Sequence, residues 1–163
     1  MALAFVFILS VTRPAAALPS FSFATPDDVE MTEVDVRGRA FLLWYESKDA
    51  VHVNDAAKLA VRALLASLPE PARPKLIAVA DVSGYDFWPA RGLAKRELRS
   101  LEKFYGLPIF ADWQGHFRDA FALQRDESNL IFVDATGVVR FRAFGKLAGQ
   151  DLERVKTLVR GAP

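Results

Sequence analysis

Apolar residues gather along this chain in runs of two kinds. Ala40 to Tyr45 is an unbroken apolar run of strand length, and Lys75 to Val82 is a second, nearly as apolar. Runs without alternation belong to strands covered on both faces, as in a parallel sheet. Between them, Ala57, Val61, Leu64, Leu65 and Leu68 recur at helical spacing on one face. Asn54 or Asp55 is placed to accept a hydrogen bond from the free amides of that helix's first turn, and Pro69 and Pro71 stop it. The unit from Ala40 to Val82 therefore reads as strand, helix, strand, at the spacing of a right-handed parallel crossover.

The pattern continues on both sides of this unit. Leu18 to Asp28, with two prolines and several serines and threonines, reads as an entry segment. Val29 to Val36 alternates loosely, as an outer strand does, and Arg37 to Arg39 is a turn. After Val82 comes an aromatic loop, Ser83 to Pro89, with Pro89 fitting the first turn of a helix, where its missing amide costs nothing. Ala94, Leu98, Leu101 and Tyr105 form one face of that helix, and Gly106 closes it as a left-handed cap does. Leu107 to Ala111 is a short strand and Gly115 to Leu123 a short helix with Phe117, Ala120 and Phe121 inward. Gln124 to Ser128 is a polar connection. Asn129 to Asp134 and Val138 to Gly145 then form a hairpin turning at Asp134 to Gly137, and Leu152, Val155, Leu158 and Val159 give a last helix its buried stripe.

At 163 residues, about half of them apolar, the chain suits one domain with one core. A net charge of +1 provides no field that would draw in nucleic acid or a membrane surface. The first residues stand apart. Ala2 to Val11 is apolar yet too short for a hydrocarbon core that needs about 20 residues, and Ala15, Ala16 and Ala17 supply a small-x-small cleavage pattern. Residues 1–17 are therefore expected to be a signal peptide, although no basic residue precedes the run and Arg13 interrupts its approach to the cleavage site. The mature domain is expected to span 18–163, periplasmic or secreted, with no stable membrane insertion after cleavage. The alternatives are a buried N-terminal strand or an uncleaved anchor.

Strands near 40, 75, 107, 129 and 138 with helices between them, closing on a hairpin and a helix, resemble the thioredoxin-like order. Thr32 to Tyr45, where a glycine-basic turn leads into the central strand, is similar to that family's entry. Leu107 to Asp112 looks like the peroxiredoxin and thiol-disulfide oxidoreductase phrase that ends in a loop aspartate before a short helix. The resemblance covers about Thr32 to Arg160. It implies an α/β fold, a thioredoxin-like three-layer α/β/α sandwich whose mixed central sheet ends in an antiparallel hairpin plus a C-terminal helix.

The chain has no cysteine. In the register of thioredoxin-type oxidoreductases the two redox cysteines correspond to Asp49 and His52. In the register of peroxiredoxins the peroxidatic cysteine falls on Asn54 and its partner threonine on Val51. The family's cis-proline belongs near Ser128 or Asn129, where this chain has none. Disulfide exchange and peroxide reduction both need a thiolate as the attacking atom, so neither can occur on this polypeptide alone.

Other chemistry is thinly signalled. Asp49 and His52 are spaced to orient a general base or to give two metal ligands, but a closed metal site takes three or four protein ligands. The plainer reading makes Asp49 a flank of the helix start and His52 a partly exposed residue. Glu46, Ser47 and Lys48 read as a solvated loop, His116 as a surface or boundary residue, and the basic face from Arg91 to Lys103 as a solvated face. Tyr85, Phe87, Trp88 and Trp113 fall in loops, where large aromatics either make binding surfaces or cover the sheet ends. Common hydrolase and nucleotide motifs are missing. Ligands of open α/β sheets gather beyond the strand ends, which makes Asp49, His52, Asn54, Trp88 and Asn129 the candidate lining of a groove. No catalytic residue, cofactor or metal is assigned. The expected role is that of a redox-inactive binding or accessory module for an unidentified protein or small ligand, without nucleic acid. The alternatives are a cysteine-independent enzyme using Asp49 and His52, or a structural adaptor.

Overall fold

A computed structural model describes residues 18–162 of the chain. The expected signal peptide lies outside the described residues. In chain order the strands are β1 (Ser22–Ala24), β2 (Glu30–Thr32), β3 (Phe41–Glu46), β4 (Lys75–Asp81), β5 (Ile109–Asp112), β6 (Ser128–Val133) and β7 (Val139–Phe144). The helices are α1 (Asp55–Ser67), α2 (Ala90–Tyr105), α3 (His116–Ala120) and α4 (Gly149–Arg160). The strands form one mixed sheet in the order β2-β1-β5-β4-β3-β6-β7. β3, β4 and β5 run parallel, and every other pairing is antiparallel.

The two unbroken apolar runs become central strands, as their composition demands. All six residues of β3 are buried, because successive side chains enter opposite cores. Phe41, Leu43 and Tyr45 point to one face, while Leu42 and Trp44 point to the other. The chain steps in the same direction from β3 to β4 to β5, so two right-handed crossovers put α1 and α2 on the same face. There Val61 and Leu65 of α1 and Leu98 and Tyr105 of α2 are buried, and α4 adds Val155 and Val159 beside α1. The opposite face is covered by α3, and Phe21 and Phe23 of the N-terminal segment join the core beneath it. Its core is aromatic: Phe117 and Phe121 stack with ring centres 4.1 Å apart, Phe23 lies 4.8 Å from Phe117, and Phe21 meets Phe117 edge-on. These are the three layers expected of the α/β fold.

Several boundaries differ from the sequence reading, each for a local reason. The entry segment supplies β1, which pairs with both β2 and β5. Val29 to Val36 is not one strand. Its extended part stops at Thr32, whose amide donates to the Asp35 carboxylate at 2.7 Å and folds Glu33–Val36 into a single 3-10 turn. β5 starts two residues late, beyond Pro108, which has no amide to give the ladder. α3 is shorter than expected because Ala122 takes a left-handed conformation, φ 50°, and turns the chain out.

Gly106 ends α2 at φ 61°, and its amide donates to the Glu102 carbonyl at 2.7 Å. Gly106→Ala should lower stability by about 1 kcal/mol, since a side chain in that region is strained. Gly92, in the first turn of α2, has open space where a Cβ would go. Gly92→Ala should raise stability by about 0.5 kcal/mol through helix propensity. Urea denaturation midpoints moving in opposite directions would confirm both, and equal shifts would contradict the cap assignment.

Candidate functional site

Each of the three parallel strands ends in an acidic residue: Glu46 in β3, Asp81 in β4 and Asp112 in β5. A carboxylate taken below the surface must be paired or hydrogen-bonded. Asp81 and Asp112 belong to the face under α3. One oxygen of Asp112, Oδ2, accepts the Tyr45 hydroxyl at 3.0 Å and the amides of Phe117 and Arg118 at 3.1 and 3.4 Å, so it caps the start of α3. Burial, joined by the Asp112 and Asp81 charges, pushes the Tyr45 hydroxyl far above its usual range and keeps it a donor. Arg118 reaches back from α3 to Asp81 at 2.8 Å and to the Ser83 hydroxyl at 3.2 Å. Ser83 in turn gives its amide and hydroxyl to the other oxygen of Asp81, at 3.1 and 2.7 Å. Burial raises Asp81, but the bonds from Ser83 and Arg118 outweigh it and hold the carboxyl below its usual range. Arg118 folds back over Gly115, where a Cβ would collide with the guanidinium and where φ is 72°.

Glu46 belongs to the face under α1 and α2. It is buried against the Lys58 ammonium at 2.6 Å and accepts the Ser128 hydroxyl at 2.6 Å. Burial raises its carboxyl above the usual range, and the Lys58 and Ser128 contacts offset only part of that rise. Lys58 also donates to the Val51 carbonyl and lies 4.8 Å from the centre of the Tyr105 ring. The Tyr105 hydroxyl donates to Asp55 at 2.6 Å, and the other Asp55 oxygen meets His52 Nδ1 at 3.0 Å. Burial raises Asp55, yet its bonds with Tyr105 and His52 prevail and keep it an anion. A continuous polar chain thus runs from the exposed His52 through Asp55, Tyr105 and Lys58 to Glu46, Ser128 and Asn54.

At the surface end, the His52 side chain is 63% exposed. The Phe104 ring, 69% exposed, stands edge-on to it with centres 6.1 Å apart. His52 meets both Asp55 and the Tyr105 hydroxyl at Nδ1, at 3.0 and 3.3 Å, and among the described residues no hydrogen bond engages its Nε2. Such an arrangement can bind a donor beside an apolar group, or take a proton from one. Among the described residues no three His, Asp or Glu side chains converge to hold a metal ion.

The candidates drawn from sequence are dispersed. Asp49 is exposed and takes no part in the network, and the carboxylate that orients His52 is Asp55. Asn54 does not cap α1 with its side chain. It is buried, donating to Ser128 Oγ and the Gly145 carbonyl, both at 2.8 Å, and accepting the Leu147 amide at 2.9 Å, which ties the loop to the segment after β7. Asn129 is equally spent, bonded to both Gln124 backbone groups and to the Glu127 and Tyr45 carbonyls, with no group left to face a groove. Trp88 is 91% exposed, and among the described residues no hydrogen bond or ring contact links it to His52. Glu46 is no solvated loop residue, since it closes the central strand inside the protein. The sequence did carry signals for what was missed: His52, Asp55 and Lys58 follow at spacings of three, which puts them on one side of a helical start.

No protein-family model and no curated protein matches the chain. Among solved structures, DsbF of MTB in its mixed oxidised and reduced forms is 21% identical, with a TM-score of 0.63 over 88% of this chain and 99% of that one. A thiol:disulfide interchange protein of the thioredoxin family from Chlorobium tepidum TLS is 16% identical, with a TM-score of 0.66 over 93% and 100%. A secreted disulfide oxidoreductase of Mycobacterium tuberculosis, homologous to E. coli DsbE, is 12% identical, with a TM-score of 0.57 over 85% and 93%. The fold is thioredoxin-like. On this thioredoxin-like frame the loop after β3 carries no thiol, and Ser128, which pairs with Glu46 across the sheet, stands near the expected proline position. Among the described residues the cis peptide bond is Trp88-Pro89 instead.

Asp81 and Arg118 form a pair of which both side chains are about nine-tenths buried. Removing one charge from such a pair costs about 3–5 kcal/mol, and Asp81→Asn should lose that much in chemical denaturation. The lowered carboxyl also sets a direction with pH. Its stabilisation is present above the ordinary Asp value of 3.8 and is lost as the pH falls through the folded-state value below it. Stability curves of the wild type and Asp81→Asn should converge below about pH 3.8; parallel curves down to pH 2 would refute the assignment.

Proposed function

We propose that this protein is a redox-inactive thioredoxin-like module that works by binding, outside the cytoplasm. The observation that carries the reading is the loop after β3. Where a thioredoxin-type register has its two thiols, this chain has Asp49 and His52, and His52 is oriented by Asp55 and Tyr105 beside the exposed Phe104. An oriented polar group next to an exposed aromatic is a low-entropy contact surface. Extracytoplasmic location is supported by the short apolar run before Ala15 to Ala17. It is also supported by structural neighbours described as a secreted oxidoreductase and as an exposed lipoprotein thioredoxin of Streptococcus pneumoniae. Among the described residues no helix is long and apolar enough to cross a membrane.

One geometric fact favours a second reading. The His52 and Asp55 contact at 3.0 Å is the orientation a general base needs, so acid–base catalysis without cysteine is the competing use of the same surface. A bell-shaped pH profile lost in both His52→Gln and Asp55→Asn would favour it over binding.

Three outcomes test the main reading. The purified protein should neither reduce insulin disulfides nor consume hydroperoxide with a thiol donor, at any rate above a blank. Once a partner is isolated with the immobilised domain from native extract, Phe104→Ala should weaken binding by about 2 kcal/mol with the thermal midpoint unchanged, because the ring is mostly outside the core. Loss of stability without loss of affinity would count against this surface. N-terminal sequencing of the protein from its native host should begin near Leu18, and intact Met1 in a cytoplasmic fraction would overturn the proposed location.

A further inference from the structure

The three acids that end the parallel strands are not answered alike. Glu46 has the Lys58 ammonium at 2.6 Å and Asp81 has the Arg118 guanidinium at 2.8 Å, so each of those negative charges meets a positive one. Asp112 is only 6% exposed, yet among the described residues it forms no ion pair. Its side-chain hydrogen bonds come from the Tyr45 hydroxyl and the amides of Phe117 and Arg118, all neutral donors, and all three go to the same oxygen, Oδ2. Among the described residues Oδ1 accepts none. Nor is it one of the unpartnered side-chain atoms shut away from solvent, which are Trp44 Nε1, Ser47 Oγ and Arg73 Nε. One oxygen of a nearly buried carboxylate is therefore both idle and reachable.

Asp112 forms part of the wall of a pocket of about 380 Å3 between β1, the end of β5 and the start of α3. That volume lies within the roughly 300–1,000 Å3 common to small-molecule sites. The rings of Phe21, Trp113 and Phe117 supply much of the remaining wall, and two further titratable groups line it, Arg91 and His116. Arg91 donates to Asp86 at 2.6 Å, lies 4.5 Å from the centre of the Trp113 ring, and is half-exposed, so its charge is balanced by a neighbour and screened by water. His116 is exposed and equally open to screening. The Arg118 guanidinium, close by on α3, is committed to Asp81. The charge at this pocket that lacks a counter-charge is that of Asp112.

Several kinds of guest fail on these points. An anion is repelled by Asp112, and a neutral molecule leaves its charge unanswered. A metal ion such as calcium takes six or more oxygens, whereas among the described residues no three His, Asp or Glu side chains converge. A cation on an apolar stem meets both demands, because its N–H groups donate to Oδ1 in a charge-assisted bond while the stem lies against the rings. With Asp112 so little exposed, the head must be slender, an ammonium and not a guanidinium or a quaternary nitrogen. We propose that this pocket is a binding site for a primary ammonium group on an apolar stem, with Asp112 Oδ1 as its acceptor. Free amines and the lysine side chains of proteins share that chemistry. The site lies on the opposite face of the sheet from the Glu46 and His52 network, so it reaches beyond the surface proposed there and stands or falls independently of it.

The test titrates the full 15N-labelled chain with phenethylamine at neutral pH and follows the amides of Phe117 and Arg118 together with the Trp113 indole. These should shift saturably with a Kd on the order of a millimolar, as befits a guest of few atoms, while the Trp44 indole on the other face stays put. 2-Phenylethanol, the same body with a neutral head, should bind roughly five- to tenfold more weakly, the difference between a charged and a neutral hydrogen bond. Asp112→Asn, which keeps the shape and loses the charge, should abolish that preference for the amine. The comparison of amine with alcohol on the wild type needs no variant to fold. Nα-acetyl-lysine methylamide separates the two sources: tighter binding of phenethylamine points to free amines and tighter binding of the lysine derivative to a protein side chain, and either supports the proposal. Shifts that do not saturate, equal binding of amine and alcohol, or an amine preference that survives Asp112→Asn would each overturn it. So would amine binding that appears only in Arg91→Gln, since Arg91 would then be the counter-ion of Asp112 in solution.

Discussion

The carboxyl edge of the parallel strands imposes the constraint on which the rest of the molecule depends, because β3, β4 and β5 each carry an acid into it. An unpaired carboxylate at such a depth is not tolerated, and the three are answered from α1, from α3 and from β3. Lys58 of α1 answers Glu46, Arg118 of α3 answers Asp81, and the hydroxyl of Tyr45 with the first amides of α3 answers Asp112. Each answer fixes where a helix sits over the sheet. The short α3 in particular has too few residues to hold its place by propensity; its position follows from Arg118, the Asp112 cap and the phenylalanine cluster beneath it.

The same pairing explains how the loop after β3 is held in place on a chain with no cysteine and with serine, not proline, at Ser128. Glu46 and Lys58 anchor its two ends, Val51 gives its carbonyl to Lys58 and Tyr105, and Asn54 ties it to Ser128, Gly145 and Leu147. Order at this loop is therefore supplied by charge and amide bonds. The frame is shared with thiol:disulfide proteins of low sequence identity, while the residues that would do their chemistry are replaced. A fold carries no activity by itself, and function resides in the site built on it.

Buried charge also accounts for the uneven packing of the two faces. Under α3 the polar edge grades into a cluster of phenylalanines with closely packed rings. Under α1 and α2 the Glu46 and Lys58 pair, with the alanines of β4 beside it, leaves the sheet less completely covered.

Much of this was legible from residues in order. The apolar run of Ala40 to Tyr45 has no polar member to face water, so it had to be a central strand. The spacing of Ala57, Val61 and Leu65 could only make a one-faced helix, and Asp134 to Gly137 had to turn a hairpin. The absence of cysteine settled the loss of thiol chemistry without any coordinates. What the sequence could not decide were the partners of groups brought together from afar. Asp49 and His52 looked paired because they are close in the chain, yet the helix start turns Asp55 toward His52 and leaves Asp49 in solvent. Asn54 and Asn129 looked like groove residues because they lie in the loops beyond the strand ends, yet each is consumed inside by backbone brought from 91 and 84 residues away respectively. Local periodicity is a property of neighbours and can be read from them, whereas a hydrogen bond between Lys58 and Glu46, or a carboxylate oxygen left without one at Asp112, exists only once the sheet and helices have closed on each other.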